Sequence, residues 1–185
     1  MRAGPDDQQE TEIVAEATAE RDAATGTVPV TIRRAEERDI PAMAAIRAAE
    51  WETQEYWERR IGNYLRGAIA AQHALPGYAA FVADLDGAVV GFIAGHRTTR
   101  HGCQGELEWI DVVQAQRRQG IAGQMVVRLA AWFIEQQALR VCIDVQPKNL
   151  VARGLYAKFG ARPLNPHWMI WDDVRVAVKG TTSRP

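Results

Sequence analysis

Residues 79–95 read AAFVADLDGAVVGFIAG, two apolar runs that meet at Asp86-Gly87. An Asp-Gly pair suits a two-residue turn whose central residues both take positive φ, so this is the strongest short hairpin signal in the chain. Any fold for this chain must therefore accommodate an antiparallel strand pair near its middle. With 185 residues and a hydrophobic fraction of 47%, one globular domain with a single core is expected around it.

The flanking patterns alternate between strand and helix. Val30 to Arg34 alternates as a strand, and Asp39 followed by Pro41 reads as an N-cap and first turn of a helix through Met43, Ile46 and Ala49. An aromatic-rich helix is expected over Glu55 to Gln72, stopped by Pro76 and Gly77. After the hairpin, Leu107 to Val113 reads as a strand and Gly120 to Gln137 as a long helix, with Ile121, Met125, Leu129 and Phe133 on one apolar stripe. Leu139 to Val145 is a further β-branched strand. Asn149 opens a helix whose Ala152, Leu155, Tyr156 and Phe159 share a face, and Gly160 stands at its C′ position. Last strands are expected at Trp168 to Trp171 and Val174 to Val178. Strands and helices thus interleave over the chain with a hairpin at the centre, which predicts an α/β (α+β) fold around a mixed sheet.

Several classes of function fall away on composition. The longest apolar stretches are too short to span a bilayer, and the N-terminus lacks the order of a secretory signal, so a cytoplasmic location without membrane attachment is expected. Cys103 and Cys142 are far apart in sequence, and no His/Cys cluster has metal-ligand spacing, so no metal is expected. His96, His101 and His167 read as isolated surface or loop histidines, with His96 alone near enough to a strand end to line a cleft. Residues 1–28 carry Arg2 and Arg21 against seven acidic residues, net −5, which leaves +4 for the remainder within a chain total of −1. An acidic, flexible arm before a domain over residues 29–180 is the expected organisation. Without a dense Lys/Arg stripe, nucleic acid is not an expected partner, whereas a mildly basic body suits an anionic small molecule.

The segment RRQGIAGQM, Arg117 to Met125, sits between an expected strand and a long helix. The first N–H groups of a helix lack internal partners and carry the positive end of its dipole. Gly120 and Gly123, with the small Ala122 between them, remove side chains from the approach to those groups, while Arg117 and Arg118 add formal charge. The arrangement suits a pyrophosphate. It matches neither the GK[ST]-ending phosphate loop nor GxGxxG, and the latter absence counts against a dinucleotide-dependent oxidoreductase.

Arg117-Arg118-Gln119-Gly120-Ile121-Ala122 resembles the [RQ]xxGx[GA] signature of the GNAT superfamily of acyl-CoA-dependent N-acetyltransferases, and NLVARGLYAKFGA resembles that family's second signature. Gln114 stands where the family commonly has proline, and Ala161 where an aromatic usually follows the last glycine. The resemblance implies a GNAT-like fold: a central, mostly antiparallel sheet whose fourth and fifth strands splay apart, flanked by helices. It also implies acetyl-CoA as co-substrate without a metal, direct attack by an amine, and compatibility with a homodimer. Cofactor contacts are implied for the backbone of Ile110, Asp111, Val112 and Val113, for Arg117, Arg118, Gln119, Gly120, Ile121, Ala122 and Gly123, and for Asn149 and Tyr156.

Tyr156 resembles the family's general acid, although its helix face would bury it in any case. Glu106 and Glu108 are two residues apart and so share a strand face, where either carboxylate is a candidate base for the acceptor ammonium, Glu108 in preference. By the same alternation Asp111 falls on the opposite face and reads as structural. Asn149 is equally well explained as a plain N-cap. EWETQEYWERR, Glu50 to Arg60, offers Trp51, Tyr56 and Trp57 with Glu50, Glu52, Glu55 and Glu58 as an aromatic, acidic wall for a cationic amine, or simply as the packed and solvated faces of an amphipathic helix. The acceptor is a small-molecule or peptide amine: a polyamine, an aminoglycoside-like sugar, an amino acid or a protein N-terminus. The competing reading on the same fold is a non-catalytic acyl-CoA sensor.

Overall fold

A computed structural model describes residues 29–69 and 71–179; the acidic segment 1–28 lies outside the described residues. The elements are β1 (Thr31–Arg34), α1 (Ile40–Ala48), α2 (Gln54–Leu65), β2 (Ala74–Leu85), β3 (Ala88–Thr98), β4 (Gly105–Val112), α3 (Ile121–Glu135), β5 (Val141–Asp144), α4 (Leu150–Lys158), β6 (Arg162–Asn165), β7 (Trp168–Trp171) and α5 (Arg175–Lys179). Seven strands form one sheet in the order β1-β2-β3-β4-β5-β7-β6, antiparallel throughout except for β4 and β5.

The hairpin forms as expected, with Leu85 opposite Ala88 and positive φ at both Asp86 (53°) and Gly87 (83°). Its strands are apolar on both sides because both sheet faces are covered. Ala79, Phe81, Ala83 and Ile93 join the core under α3 and α4, while Ala80, Val82, Phe92 and Ala94 join a second core under α1 and α2. Ile121, Met125, Leu129 and Phe133 form the buried stripe of α3. Phe133 presses into a notch in the sheet: a Cβ on Gly105 would lie 2.5 Å from its ring, and one on Gly95 would lie 2.8 Å away.

Three boundaries differ from the sequence reading. α2 stops at Leu65, because Gly67 takes φ +82° and turns the chain; Pro76 and Gly77 lie inside β2 at a register shift, where a missing N–H is tolerated. Val174 to Val178 contributes to a helical turn, not a strand: Asp173 Oδ1 accepts the N–H of Arg175, and Val174 and Ala177 point inward at helical spacing. Asp39 precedes α1, but its carboxylate makes no cap bond to that helix; it is buried against Arg33 (2.7 and 2.8 Å) and the Glu36 N–H (2.8 Å). The short edge strand β6 had no clear signal, since Pro163 lies within it.

Two features of β4 position the functional site. Its parallel ladder with β5 covers only Gly105–Val141, Glu106–Cys142 and Leu107–Ile143, after which the strands separate. Opposite β3, Ala94 faces Trp109 and Gly95 faces Leu107, so Glu108 is the extra residue of a β-bulge.

Candidate active site

The turn from β4 to α3 is open. Residues Arg117 to Gly120 are exposed, Arg118 and Gly120 have φ of 66° and 84°, and a Cβ on Gly120 would meet nothing within 4 Å. Gln124 is the residue whose N–H returns to the Gly120 carbonyl, so the N–H groups of Ile121, Ala122 and Gly123 precede the first regular helical bond. The turn thus has the shape and polarity that a pyrophosphate requires. Its residues divide the work differently from the sequence reading. Arg117 is engaged by the protein: Nε donates to the Val112 carbonyl at 2.9 Å, and the guanidinium pairs with Glu50. Arg118 extends into solvent, Gln119 reaches back to the Ala115 carbonyl, and Gly123 is required by packing, since a Cβ there would lie 2.9 Å from the Phe159 ring.

Beyond Leu107 the free edge of β4 carries backbone groups that β5 does not pair. The Val113 N–H bonds to the Val90 carbonyl on β3, so by strand alternation Ile110 and Val112 turn their N–H groups to the splay. Val112 presents its carbonyl on that same side, to Arg117. Of the four residues Ile110, Asp111, Val112 and Val113, two therefore offer donors there.

The bulge changes which side chains face together. Glu108 lies near Arg60 of α2 (3.4 Å), and Asp111 pairs with Arg47 of α1 (2.7 Å). Asp111 therefore shares the face of Glu108, contrary to simple alternation, because the extra residue shifts the parity by one. Burial raises the Glu108 carboxyl above its ordinary range, Arg60 opposes this and Glu106 adds to it. Burial likewise raises Asp111, against the pull of Arg47.

Glu106 is buried, with Thr98 Oγ1 and Arg100 Nε each 3.1 Å from its Oε2. Its cross-strand partner is His96, which is fully buried and so corrects the expectation of a surface or loop position. His96 Nε2 lies 3.7 Å from Glu106 Oε2, and Nδ1 lies 4.0 Å from Glu108 Oε2 and 3.3 Å from the Tyr64 hydroxyl. One nitrogen of His96 and one carboxylate oxygen each of Glu106 and Glu108 fall within 4.8 Å of one another, a grouping that sequence spacing could not reveal. Arg60 and Arg100 already supply positive charge to both carboxylates, which disfavours a further divalent charge there.

A cleft beside Glu108 is lined by Arg60, Asn63, Tyr64, Ile69 and Trp109. Tyr64 and Trp109 supply its aromatic wall, their rings tilted at 50° with centroids 4.9 Å apart, and Trp57 is buried on the same packed face of α2. Arg60 stands over the rings of Trp57 and Trp109 at 5.7 and 5.8 Å, the place a cationic ligand would take. Trp51, Glu50, Glu52 and Glu55 are exposed, outside that wall. His101 and His167 are exposed as expected. Tyr156 is buried on α4 with its ring 6.1 Å from Trp171; burial, then Asp111, holds its phenol protonated well above the ordinary range. Asn149 caps α4 by accepting the Ala152 N–H at 3.0 Å.

Relatives agree with this architecture. The chain is 29% identical over 129 residues to the aminoglycoside N(6')-acetyltransferase type 1 of Serratia marcescens, covering 66% of this chain and 84% of that protein. Its fold is similar to the ribosomal-protein-alanine N-acetyltransferase of Brucella melitensis, with TM-score 0.61 at 20% identity over 76% of this chain and 98% of that one. A GNAT family N-acetyltransferase from Escherichia coli, solved in complex with CoA, gives TM-score 0.60 at 19% identity over 83% and 87%. The model of the acetyltransferase (GNAT) family matches residues 40–161, well over half of the chain, and on that match the chain belongs to this family.

Proposed function

We propose that the chain moves the acetyl group of acetyl-CoA to a primary amine by direct attack, with Glu108 as the base and Tyr156 as the proton donor. The observation that carries this reading is the divergence of β4 from β5: it opens a strand edge between the exposed Gly120 turn on one side and the Glu108 cleft on the other. Acetyl-CoA supplies an acyl group activated as a thioester. The Gly120 turn holds its diphosphate, and the N–H groups of Ile110 and Val112 polarise the acyl carbonyl. A carboxylate raised by burial is a better base than an exposed one, and the buried Tyr156 phenol is protonated and available to the leaving sulfur.

Glu108 at the cleft, with Glu106 buried behind it, supports an acceptor that arrives as an ammonium. The Serratia relative acetylates an aminoglycoside by its name, so kanamycin heads the test panel. Spermidine, tyramine and a peptide with a free N-terminus complete it, and thiol release from acetyl-CoA is the readout. Turnover with one of these and a loss of about 100-fold or more in Glu108→Gln support the reading. Thermal stabilisation by acetyl-CoA without amine-dependent thiol release identifies a sensor instead.

A further inference from the structure

The most anomalous group in the interior is His96: a fully buried imidazole whose Nε2 has no hydrogen-bond partner, set between two carboxylates and a phenol. A buried polar atom of this kind requires an explanation. The groups facing the ring are Tyr64 from α2, its cross-strand partners Tyr78 on β2 and Glu106 on β4, Glu108 on β4, and Arg100 beyond β3.

The hydrogen positions follow from these neighbours. If Nδ1 carried the hydrogen, the lone pair of Nε2 would face the Glu106 carboxylate at 3.7 Å, which is repulsive. With the hydrogen on Nε2, that N–H faces the carboxylate and Nδ1 accepts from the Tyr64 hydroxyl at 3.3 Å. Tyr64 is available as this donor, since burial and then Glu108 and Glu106 keep its phenol protonated. Burial also keeps His96 neutral, pushing it down to about 4. Tyr64 lines the same cleft as Glu108, and its hydroxyl oxygen can accept a hydrogen bond while it donates to Nδ1.

We infer that Glu106, His96 and Tyr64 form an ordered relay in which the Tyr64 oxygen takes a proton from the acceptor nitrogen. The inference rests on the acetyl-transfer reading. An ammonium gives up two protons on becoming an amide nitrogen; Glu108 takes one. As the nitrogen–carbon bond forms, the second N–H bond breaks and its proton bonds to Tyr64 Oη. The Tyr64 O–H bond breaks at the same time and that proton bonds to His96 Nδ1, giving an imidazolium opposed by the Glu106 carboxylate. No electrons are exchanged, and the proton returns by the same route to water entering the cleft. Tyr64 is catalytic; His96 and Glu106 are positioning residues.

Nitrogen-15 NMR of the full chain without ligand tests the hydrogen order. A neutral His96 with hydrogen on Nε2 is expected, with Tyr64→Phe shifting the Nδ1 signal toward that of a free nitrogen; hydrogen on Nδ1, or a signal indifferent to Tyr64→Phe, overturns the relay. With acetyl-CoA, Tyr64→Phe is expected to lower kcat/KM about tenfold or more for ethylamine, with KM for acetyl-CoA unchanged. The deficit should shrink for 2,2,2-trifluoroethylamine, whose nitrogen sheds protons readily, and His96→Gln should follow the same pattern. An unaltered rate, or the same deficit for both amines, overturns the relay and leaves acetyl transfer standing. Absence of turnover by the unmodified chain with these amines and with the whole panel removes both.

Discussion

Arg60 touches Glu108, Tyr56 and two tryptophan rings at once, and so shows how one residue sets the chemistry of its neighbour. Its charge lowers a Glu108 carboxyl that burial has raised. With Glu108 as the proposed base, activity should require its ionised form and fall as pH drops through that pKa. Arg60→Ala removes the opposing charge, so the acidic limb of the kcat/KM profile should move to higher pH; a limb that stays in place would separate Glu108 from the rate. Tyr156→Phe should reduce kcat by about 10- to 100-fold while leaving the affinity for CoA within about twofold, since in the proposed reaction the phenol acts on a departing group and not on the diphosphate. Calorimetric titration with CoA beside steady-state rates checks both halves. The burial of Tyr156 was legible in the sequence through its helix face. His96 and Tyr64 were not, because their meaning lies in a cross-strand register and a helix packing that no spacing along the chain encodes.

At the scale of elements, the turn into α3 and the notch beneath it make opposite use of glycine. Gly120 has open space around it and a left-handed φ, so Gly120→Val meets backbone strain of about 1–3 kcal/mol and narrows the approach to the helix amides. The expected outcome is a folded protein with CoA affinity weakened at least tenfold by calorimetry. Gly105 is the reverse case: its Cβ would collide with the Phe133 ring, so Gly105→Ala should cost about 1–3 kcal/mol in denaturant unfolding, with the turn itself untouched. The hairpin, α3 and α4 were readable from local pattern because turn chemistry and helical periodicity act over a few residues. The end of α2 and the helical form of Val174 to Val178 were misread, since Pro76 is absorbed by a bulge and Asp173 supplies a cap that alternation does not register.

The molecule as a whole sets a row of side chains across five strands: Tyr78, His96, Glu106, Cys142 and Ile170 are successive cross-strand partners. This row brings Cys142 beside Cys103, whose thiol it holds below the ordinary range, although the two cysteines are remote in sequence. It also puts an ionisable ring in the interior, with a consequence for stability. His96 falls from its ordinary 6.5 to about 4 on folding, so the unfolded chain binds the extra proton first. Its contribution is complete above about 6.5 and is lost as pH drops toward 4. Unfolding free energy measured over that window should fall more steeply for the unmodified chain than for His96→Gln, and parallel curves would remove the imidazole as the cause.

Among the described residues no helix is long and apolar enough to cross a membrane, and two cores enclose the sheet from either side. The hairpin, the central run of strands and helices, the open glycine turn before α3 and the paired glutamates of β4 could be read from the chain alone, because each depends on neighbours a few positions away. Only the folded sheet decided that Asp111 faces with Glu108, that Arg117 is held by Glu50 and that a buried histidine joins the glutamates. Those outcomes depend on one bulged residue and on strand register, both set when distant segments pack against each other.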